Sequence, residues 1–146
     1  MKHMPQVVAA MTPFPHSVEI DAPVVSAMAL MKEQRVRHLP VMELGALRGV
    51  LTDRDIRSAL GRNLGVHNAE GLKVRDIYHD DAFTVEADAP LDHVAASMAE
   101  RHIGSALVTK HGKLVGMFTS TDACRALVQV LRERYPPPAP PGTEAA

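Results

Sequence analysis

The chain has 146 residues, of which 46% are hydrophobic, and its formal net charge at pH 7 is −1. A near-neutral chain with few aromatic residues argues against nucleic-acid binding through bulk positive charge or base stacking, and no apolar run approaches the roughly 20 residues of a membrane span. Cys124 stands alone, which excludes an internal disulfide framework and predicts a protein of the reducing cytoplasm.

The first predicted elements are a short extended segment, Ser17–Ile20, and a helix behind it. Asp21 is a good N-cap residue, and Pro23 suits the first helical turn. Apolar residues then recur at helical spacing. They are Val24, Ala27, Met28 and Met31.

A strand pair and a second helix complete this unit. Strands at His38–Met42 and Leu47–Thr52 flank a turn that carries Gly45, as a hairpin requires. The second helix is expected to begin directly after the second strand and to end near Gly61, a typical C-cap residue. The polar, glycine-containing stretch 62–71 predicts a connecting loop.

The second half of the chain repeats the first at a constant offset of 67 residues. Ser17–Leu60 aligns with Thr84–Leu127 without a gap, and 16 of the 44 aligned positions are identical. Upstream, Val8–Met11 resembles Val74–Ile77 with a one-residue slip. Such a repeat indicates two supersecondary units that share a core. The second unit is predicted to begin with an extended segment at Phe83–Glu86 and a helix that has Asp88 as N-cap and Pro90 in its first turn. A strand pair at Ser105–Thr109 and Lys113–Thr119 follows, and a second helix begins after Thr119 and ends at about Tyr135.

These elements predict a division of the chain into four parts. The first repeat covers residues 1–64, a linker 65–72, the second repeat 73–135, and a proline-rich tail 136–146. The composition of the tail is typical of a disordered or polyproline extension. A passive tail and a docking peptide for another domain both stay open.

The order β-α-β-β-α, the strand His38-Leu39-Pro40-Val41 and two Gly-x-x-Thr-x-x-Asp motifs resemble the cystathionine-β-synthase-type (CBS) domain. The resemblance covers about residues 7–132 and extends to the paired unit called a Bateman module. It implies an α/β (α+β) fold in which two repeats pack through their sheets with pseudo-twofold symmetry and leave two clefts between them.

The same resemblance implies a regulatory function and no enzymatic one. Members of the family commonly bind adenine nucleotides or adenosyl compounds, so AMP, ADP, ATP and S-adenosylmethionine are the expected ligands, and no cofactor is required. The resemblance also implies a stand-alone module that forms a homodimer through its helices and acts on an effector protein that the sequence does not identify.

The first Gly-x-x-Thr-x-x-Asp motif places Thr52 where a strand ends and a helix begins. The N–H groups and the dipole of a helix start favour an anion, so this hydroxyl is suited to a phosphate. Asp55 can accept hydrogen bonds from ribose hydroxyls, and Arg54 can add charge-assisted contacts. The same Thr-x-x-Asp pattern is also a capping box, which stabilises a helix by about 1 kcal/mol without a ligand. The two roles are compatible, and both stay open.

The two predicted sites differ in charge. Repeat one carries Arg37, His38 and Arg54, and basic residues at the first two positions often meet phosphates in the family; solvated surface charge is the alternative for both arginines. Repeat two is less suited to several phosphates and is expected to take a less charged adenosyl ligand or to stay empty. Its corresponding residues are Gly104, Ser105 and Thr121, beside the retained Thr119 and Asp122.

Two further groups of residues are candidates for the binding site. Four apolar strand residues are expected to pack an adenine: Leu39, Val41, Ala106 and Val108. Pro40 and Leu107, beside them in the strands, are also expected at the nucleotide site. The segments before each repeat line the cleft in the family, which adds Met11-Thr12-Pro13 and Ile77-Tyr78-His79, with Thr12 and Tyr78 as the site candidates. Tyr78 is expected either to stack on a base or to plug the interface between the repeats.

Neither a catalytic nor a metal site is predicted. The eight histidines are scattered and make no compact ligand set, and Ser120 has no obvious positioned base. Two alternatives to a sensor stay open: a dimerisation scaffold whose contact is the proline-rich tail, and a metal-responsive stress protein. The expected dimer face comprises Val24, Met28, Met31 and their repeat-two counterparts, because these residues are too apolar to be left exposed.

Overall fold

The computed structural model describes residues 2–62 and 71–142, which form two small sheets and four α-helices. This mixed α/β arrangement confirms the predicted fold class. The strands are β1 (Thr12–Pro13), β2 (Val18–Glu19), β3 (His38–Glu43), β4 (Ala46–Thr52), β5 (Thr84–Glu86), β6 (Ser105–Lys110) and β7 (Lys113–Thr119). The helices are α1 (Val24–Gln34), α2 (Asp53–Arg62), α3 (Leu91–Arg101) and α4 (Ser120–Arg134).

Each sheet contains one antiparallel hairpin and one parallel neighbour. β3 pairs with β4 and β6 pairs with β7, while β2 and β5 run parallel to β3 and β6. Both central residues of each hairpin turn have positive φ, at Leu44-Gly45 and at His111-Gly112. That conformation matches the right-handed twist of the strands, and glycine adopts it without a steric cost.

Alternation along the strands separates three cores. Leu39, Val41 and Leu51 face α1 and α2 in core 1, and Ala106, Val108 and Phe118 face α3 and α4 in core 2. Residues on the opposite faces of the sheets meet in a smaller core 3, which contains Val50, Leu107 and Met117. The two repeats therefore pack through their sheets.

The segment before each sheet lies on the opposite repeat. The N-terminal arm (residues 6–14) adds β1 to β7, and its Val7 N–H donates to Ala89 O at 2.8 Å. The central arm (residues 72–80) lies on repeat one, where Val74 N–H donates to Ala22 O at 2.9 Å. Each repeat thus completes its fold with a segment that precedes the other repeat in the sequence.

The two arms are related by the same offset as the repeats. Val7 and Val74, which are 67 residues apart, are both fully buried and both begin a 3₁₀ turn. The predicted one-residue slip between Val8–Met11 and Val74–Ile77 is therefore wrong, because the structural equivalence places Val7 on Val74.

The helix starts differ from the prediction. Pro23 and Pro90 occupy the N-cap positions of α1 and α3 in extended conformation, without a side-chain cap, so Asp21 and Asp88 are not the caps. A proline lacks the N–H that the first turn would leave unpaired, so it starts a helix without a polar cap. Asp21 forms an ion pair with Arg75 of the central arm at 3.0 Å.

The ends of the later helices are close to the prediction. Gly61 lies within α2, which continues to Arg62, so it is not the C-cap. Residues 63–70, which contain most of the predicted linker, lie outside the described residues. α4 ends at Arg134, and residues 136–142 are exposed and form neither helix nor strand; the last four residues of the predicted tail lie outside the described residues.

The apolar face predicted for a dimer is largely buried within the chain. Val24 and Met31 belong to core 1, and Met98 belongs to core 2, while Met28 is partly exposed. These side chains point at their own sheet because the helical stripe that contains them is the one that covers the strands. A group of exposed apolar residues lies on α4: Leu127, Val128, Val130 and Leu131.

Candidate functional site

A cleft of about 710 Å³ lies between the start of α2 in repeat one and the junction of α3 and β6 in repeat two. We call it cleft 1. Six of the site residues predicted from the sequence line it: Arg37, His38, Thr52, Arg54, Asp55 and Ser105. Its other lining residues are Val50, Asp53, Arg57, His79, Asp81, Ala82, Phe83, Arg101, His102, Ile103 and Gly104.

Thr52 and Asp55 form the reciprocal hydrogen bonds of a capping box at the start of α2. Thr52 N–H donates to Asp55 Oδ2 at 2.9 Å, and Asp55 N–H donates to Thr52 Oγ1 at 3.1 Å. Among the described residues, the hydroxyl proton of Thr52 has no protein acceptor. The cap therefore leaves one donor at the helix start for a ligand oxygen.

Four arginines line cleft 1, and two of them have partners within the described residues. Arg57 forms an ion pair with Asp53 at 3.0 Å, and Arg101 lies 4.7 Å above the ring of Phe83. Arg37 and Arg54 form no ion pair within the described part of the chain. Two exposed guanidinium groups thus remain available to an anion near the start of α2.

His38 is half-buried at the inner end of the cleft. Burial lowers the pKa of His38 below its ordinary value, although the nearby carboxylate of Asp55 acts in the opposite direction. A Cβ at Gly104 would lie only 3.2 Å from the imidazole ring, so the glycine makes room for this ring between the repeats. The lowered pKa makes the imidazole of His38 harder to protonate than that of a solvent-exposed histidine.

In repeat two, the corresponding threonine and aspartate form hydrogen bonds with protein groups. The hydroxyl of Thr119 donates to Asp122 Oδ2 at 3.1 Å, and the hydroxyl of Thr12 donates to Asp122 Oδ1 at 3.0 Å. Asp122 is buried, and Thr119 N–H also donates to it at 2.9 Å. Both hydroxyl protons are used here, unlike the proton of Thr52. Thr121 is exposed and does not line cleft 1.

The apolar candidates lie in the cores and do not line cleft 1. Leu39, Val41, Ala106 and Val108 are fully buried against the helices, and Leu107 is buried in core 3. Pro40 is also fully buried, opposite Val50 in the β3–β4 pair. The expectation that these residues contact a nucleotide does not fit this burial, because both faces of β3 and β6 are covered by protein.

The structure places Tyr78 and Ser105, whose roles the sequence leaves open. Tyr78 packs against core 1 and does not line cleft 1, which favours the plug over the stacking role. Ser105, expected at the site of repeat two, lies on the wall of cleft 1. The cleft is lined from both repeats, and the ring of His38 at the start of β3 lies close to Gly104, just before β6.

Several lining residues were missed by the sequence reasoning. Arg101, His102 and Ile103 come from the end of α3, and Val50, Ala82 and Phe83 supply apolar surface. The repeat offset aligns the first three with Gln34, Arg35 and Val36, but an offset does not show which residues cross to the other repeat's site. Only the expected twofold packing of the repeats, applied residue by residue, could have indicated them.

The described residues contain neither a cluster of metal ligands nor a membrane-spanning helix. No three side chains among His, Cys, Asp and Glu converge to hold a metal ion in residues 2–62 and 71–142. In the same ranges, no helix combines the length and the apolar character needed to cross a membrane.

Comparison with protein families matches the CBS domain model twice, at residues 6–62 and 74–129. A CBS domain-containing protein of Dictyostelium discoideum is 29% identical over 130 residues, which cover 83% of this chain and 89% of that protein. The L-aspartate semialdehyde sulfurtransferase of Methanocaldococcus jannaschii is 31% identical over 70% of this chain, but the match spans only 19% of the enzyme.

Solved structures give the same result. A putative acetoin utilization protein (AcuB) from Vibrio cholerae has a TM-score of 0.80 at 26% identity, covering 92% of this chain and 100% of that one. CBSX2 in complex with AMP has a TM-score of 0.76 at 28% identity, covering 87% and 98%. The CBS domain pair of MJ0100 in complex with 5′-methylthioadenosine and S-adenosyl-L-methionine has a TM-score of 0.75 at 26% identity, covering 84% and 99%. With two matched repeats and this shared fold, the chain belongs to the CBS domain family and carries two CBS domains in tandem.

Proposed function

We propose that the chain is a ligand-sensing regulatory module, not an enzyme, and that it binds an adenine nucleotide or an adenosyl compound in cleft 1. One observation carries the proposal: a Thr52 hydroxyl and two arginines, Arg37 and Arg54, that have no acceptor or ion-pair partner among the described residues meet the start of α2 at a single cleft. Such a combination favours a phosphate or another anionic group. The AMP complex of CBSX2 and the adenosyl complexes of MJ0100 support the ligand class.

The proposed ligand has its phosphate at the Thr52 hydroxyl and its ribose at Asp55. Apolar side chains at the walls of cleft 1, from Val50, Ala82 and Ile103, supply the surface that an adenine ring requires. A cleft of about 710 Å³ falls within the size range of small-molecule sites. Arg37 and Arg54 add charge, so phosphorylated ligands are expected to bind more tightly than adenosine.

Regulation follows from the position of cleft 1 between the repeats. Arg54 belongs to repeat one and Arg101 to repeat two, so a bound ligand contacts both. A ligand shifts a conformational equilibrium by its differential affinity for the two arrangements. We propose that an effector protein reads this change in the arrangement of the repeats.

The test of this function is ligand-dependent stability. We expect at least one of AMP, ADP, ATP and S-adenosylmethionine to raise the free energy of unfolding by about 2.7 kcal/mol at 100 times its dissociation constant. Thr52→Val removes the free hydroxyl and, at the same ligand concentration, should reduce this gain to about 1.4 kcal/mol through a tenfold weaker affinity, whereas Thr52→Ser keeps the hydroxyl and should retain the gain. Chemical unfolding with and without each compound measures the effect. Wild-type protein that gains no stability from any of the four would refute the proposal.

A second candidate function, a homodimeric scaffold, is favoured by the exposed apolar face of α4. Leu127 and Val130 are 56% and 59% exposed, and they share this face with Val128 and Leu131. Light scattering after size exclusion should give a dimer mass for the wild type and a monomer mass for Val130→Lys. The matched control is Leu44→Lys, at a hairpin turn that is 99% exposed and isolated. A monomeric wild type at all concentrations would contradict this candidate.

A further inference from the structure

We propose that His79 is the positioning residue of cleft 1, and that it holds the carboxylate of Asp55 so that the cleft selects ribose over 2′-deoxyribose. This inference rests on the proposed function of cleft 1 as a nucleotide site. His79 belongs to the central arm, and no feature of the Gly-x-x-Thr-x-x-Asp motif indicates it.

The carboxylate of Asp55 is held at both oxygens. His79 Nε2 lies 2.5 Å from Oδ1, and Thr52 N–H donates to Oδ2 at 2.9 Å. A carboxylate has about four lone-pair sites, so at least one acceptor site on each oxygen remains for a ligand. Two fixed acceptors on one carboxylate suit the two neighbouring hydroxyls of a ribose.

The backbone places His79 independently of its ring. His79 N–H donates to Val50 O at 2.9 Å, and Val50 N–H donates to His79 O at 3.0 Å. A Cβ at Gly49 would overlap the carbonyl oxygen of His79, so the glycine allows the arm to lie this close. The His79 side chain itself is 57% exposed. Substitutions of the imidazole should therefore keep the arm in place.

Repeat two contains the same contact with a shorter side chain. Thr12 lies 67 residues before His79, in the N-terminal arm, and its hydroxyl donates to Asp122 Oδ1 at 3.0 Å. The arms thus hold the motif aspartate in both repeats. A threonine reaches the aspartate from this position, which provides a replacement for His79 that keeps a donor.

The test compares His79→Thr with His79→Val, which share one shape and differ in a single hydroxyl. Titration calorimetry gives the dissociation constants of AMP and 2′-deoxy-AMP for each protein. We expect the wild type and His79→Thr to bind AMP about tenfold more tightly than 2′-deoxy-AMP, as a charged hydrogen bond requires. We expect this preference to fall to about threefold or less in His79→Val. Thermal unfolding checks that both variants fold.

The possible results separate the two proposals. A preference for AMP that is equal in the wild type, His79→Thr and His79→Val overturns the role of His79 and leaves the proposed function intact. A wild type that binds neither nucleotide overturns the proposed function, and the role of His79 falls with it. His93→Val is the matched control, because His93 is an exposed histidine beside an aspartate outside cleft 1; a loss of preference there would also contradict the inference.

Discussion

At the scale of single residues, the same motif has two outcomes in the two repeats. Asp55 and Asp122 both cap a helix start. Each is also held by a side chain of the arm that packs on its repeat, Asp55 by His79 and Asp122 by Thr12. Thr119 gives its hydroxyl proton to Asp122, whereas Thr52 keeps its own free. The sequence predicts the caps correctly, but it does not distinguish these two hydrogen-bond patterns, since both motifs read Gly-x-x-Thr-x-x-Asp.

The buried cap of repeat two should contribute measurably to stability. Asp122→Ala removes the acceptor of two hydroxyls and one N–H, so we expect the free energy of unfolding to fall by about 2 kcal/mol. Urea unfolding measures the difference. Asp92→Ala, at an exposed acid in the first turn of α3, is the control and should cost less than about 1 kcal/mol. Equal losses in the two variants would contradict the capping role.

His38 should make stability depend on pH. Because burial lowers its pKa in the folded protein, the unfolded state binds more protons below about pH 6.5. The contribution of His38 is therefore complete above the ordinary value of 6.5 and is lost as the pH falls through 6.5 towards the lower folded value. We expect His38→Gln to lose less stability than the wild type between about pH 7 and pH 5. Urea unfolding at each pH measures this difference, and an equal pH dependence of the free energy of unfolding in the two proteins would contradict the expectation.

At the scale of elements, the strands and hairpins are the part that sequence patterns predict well. Short apolar runs and glycine-containing turns indicate β3, β4, β6 and β7, because a strand that is covered on both faces has apolar residues on both. The helix starts were misplaced at Asp21 and Asp88, since proline at the N-cap position replaces a polar cap. The crossing of the arms was not predictable, because a repeat offset relates two segments without showing on which repeat each one packs.

The arms depend on glycines that face them. A Cβ at position 49 would overlap the His79 carbonyl oxygen, so Gly49→Ala should displace the central arm and lower the free energy of unfolding by about 3 kcal/mol. Gly61→Ala is the matched control, because nothing lies within 4 Å of a Cβ there. It should stabilise α2 by about 1 kcal/mol. Denaturant unfolding measures both changes, and a Gly49→Ala variant with the same free energy of unfolding as the wild type would contradict the described packing.

At the scale of the whole molecule, two nearly equivalent repeats enclose a cleft whose chemistry is unequal. Repeat one supplies Thr52, Asp55, Arg37 and Arg54, while repeat two supplies Arg101 and Ser105. The sequence predicts the first set through the motif and its basic neighbours. It predicts Ser105 only for the site of repeat two and does not predict Arg101, because their place in cleft 1 depends on how the repeats face each other across core 3.

We propose that one ligand binds to each chain, in cleft 1. Isothermal titration of the wild type with AMP, or with whichever adenine compound stabilises it most, tests this directly. We expect a stoichiometry of about one ligand per chain, and Thr52→Val should weaken the binding about tenfold by removing one hydrogen bond to a charged phosphate. A stoichiometry of two, or binding that Thr52→Val leaves unchanged, would contradict it.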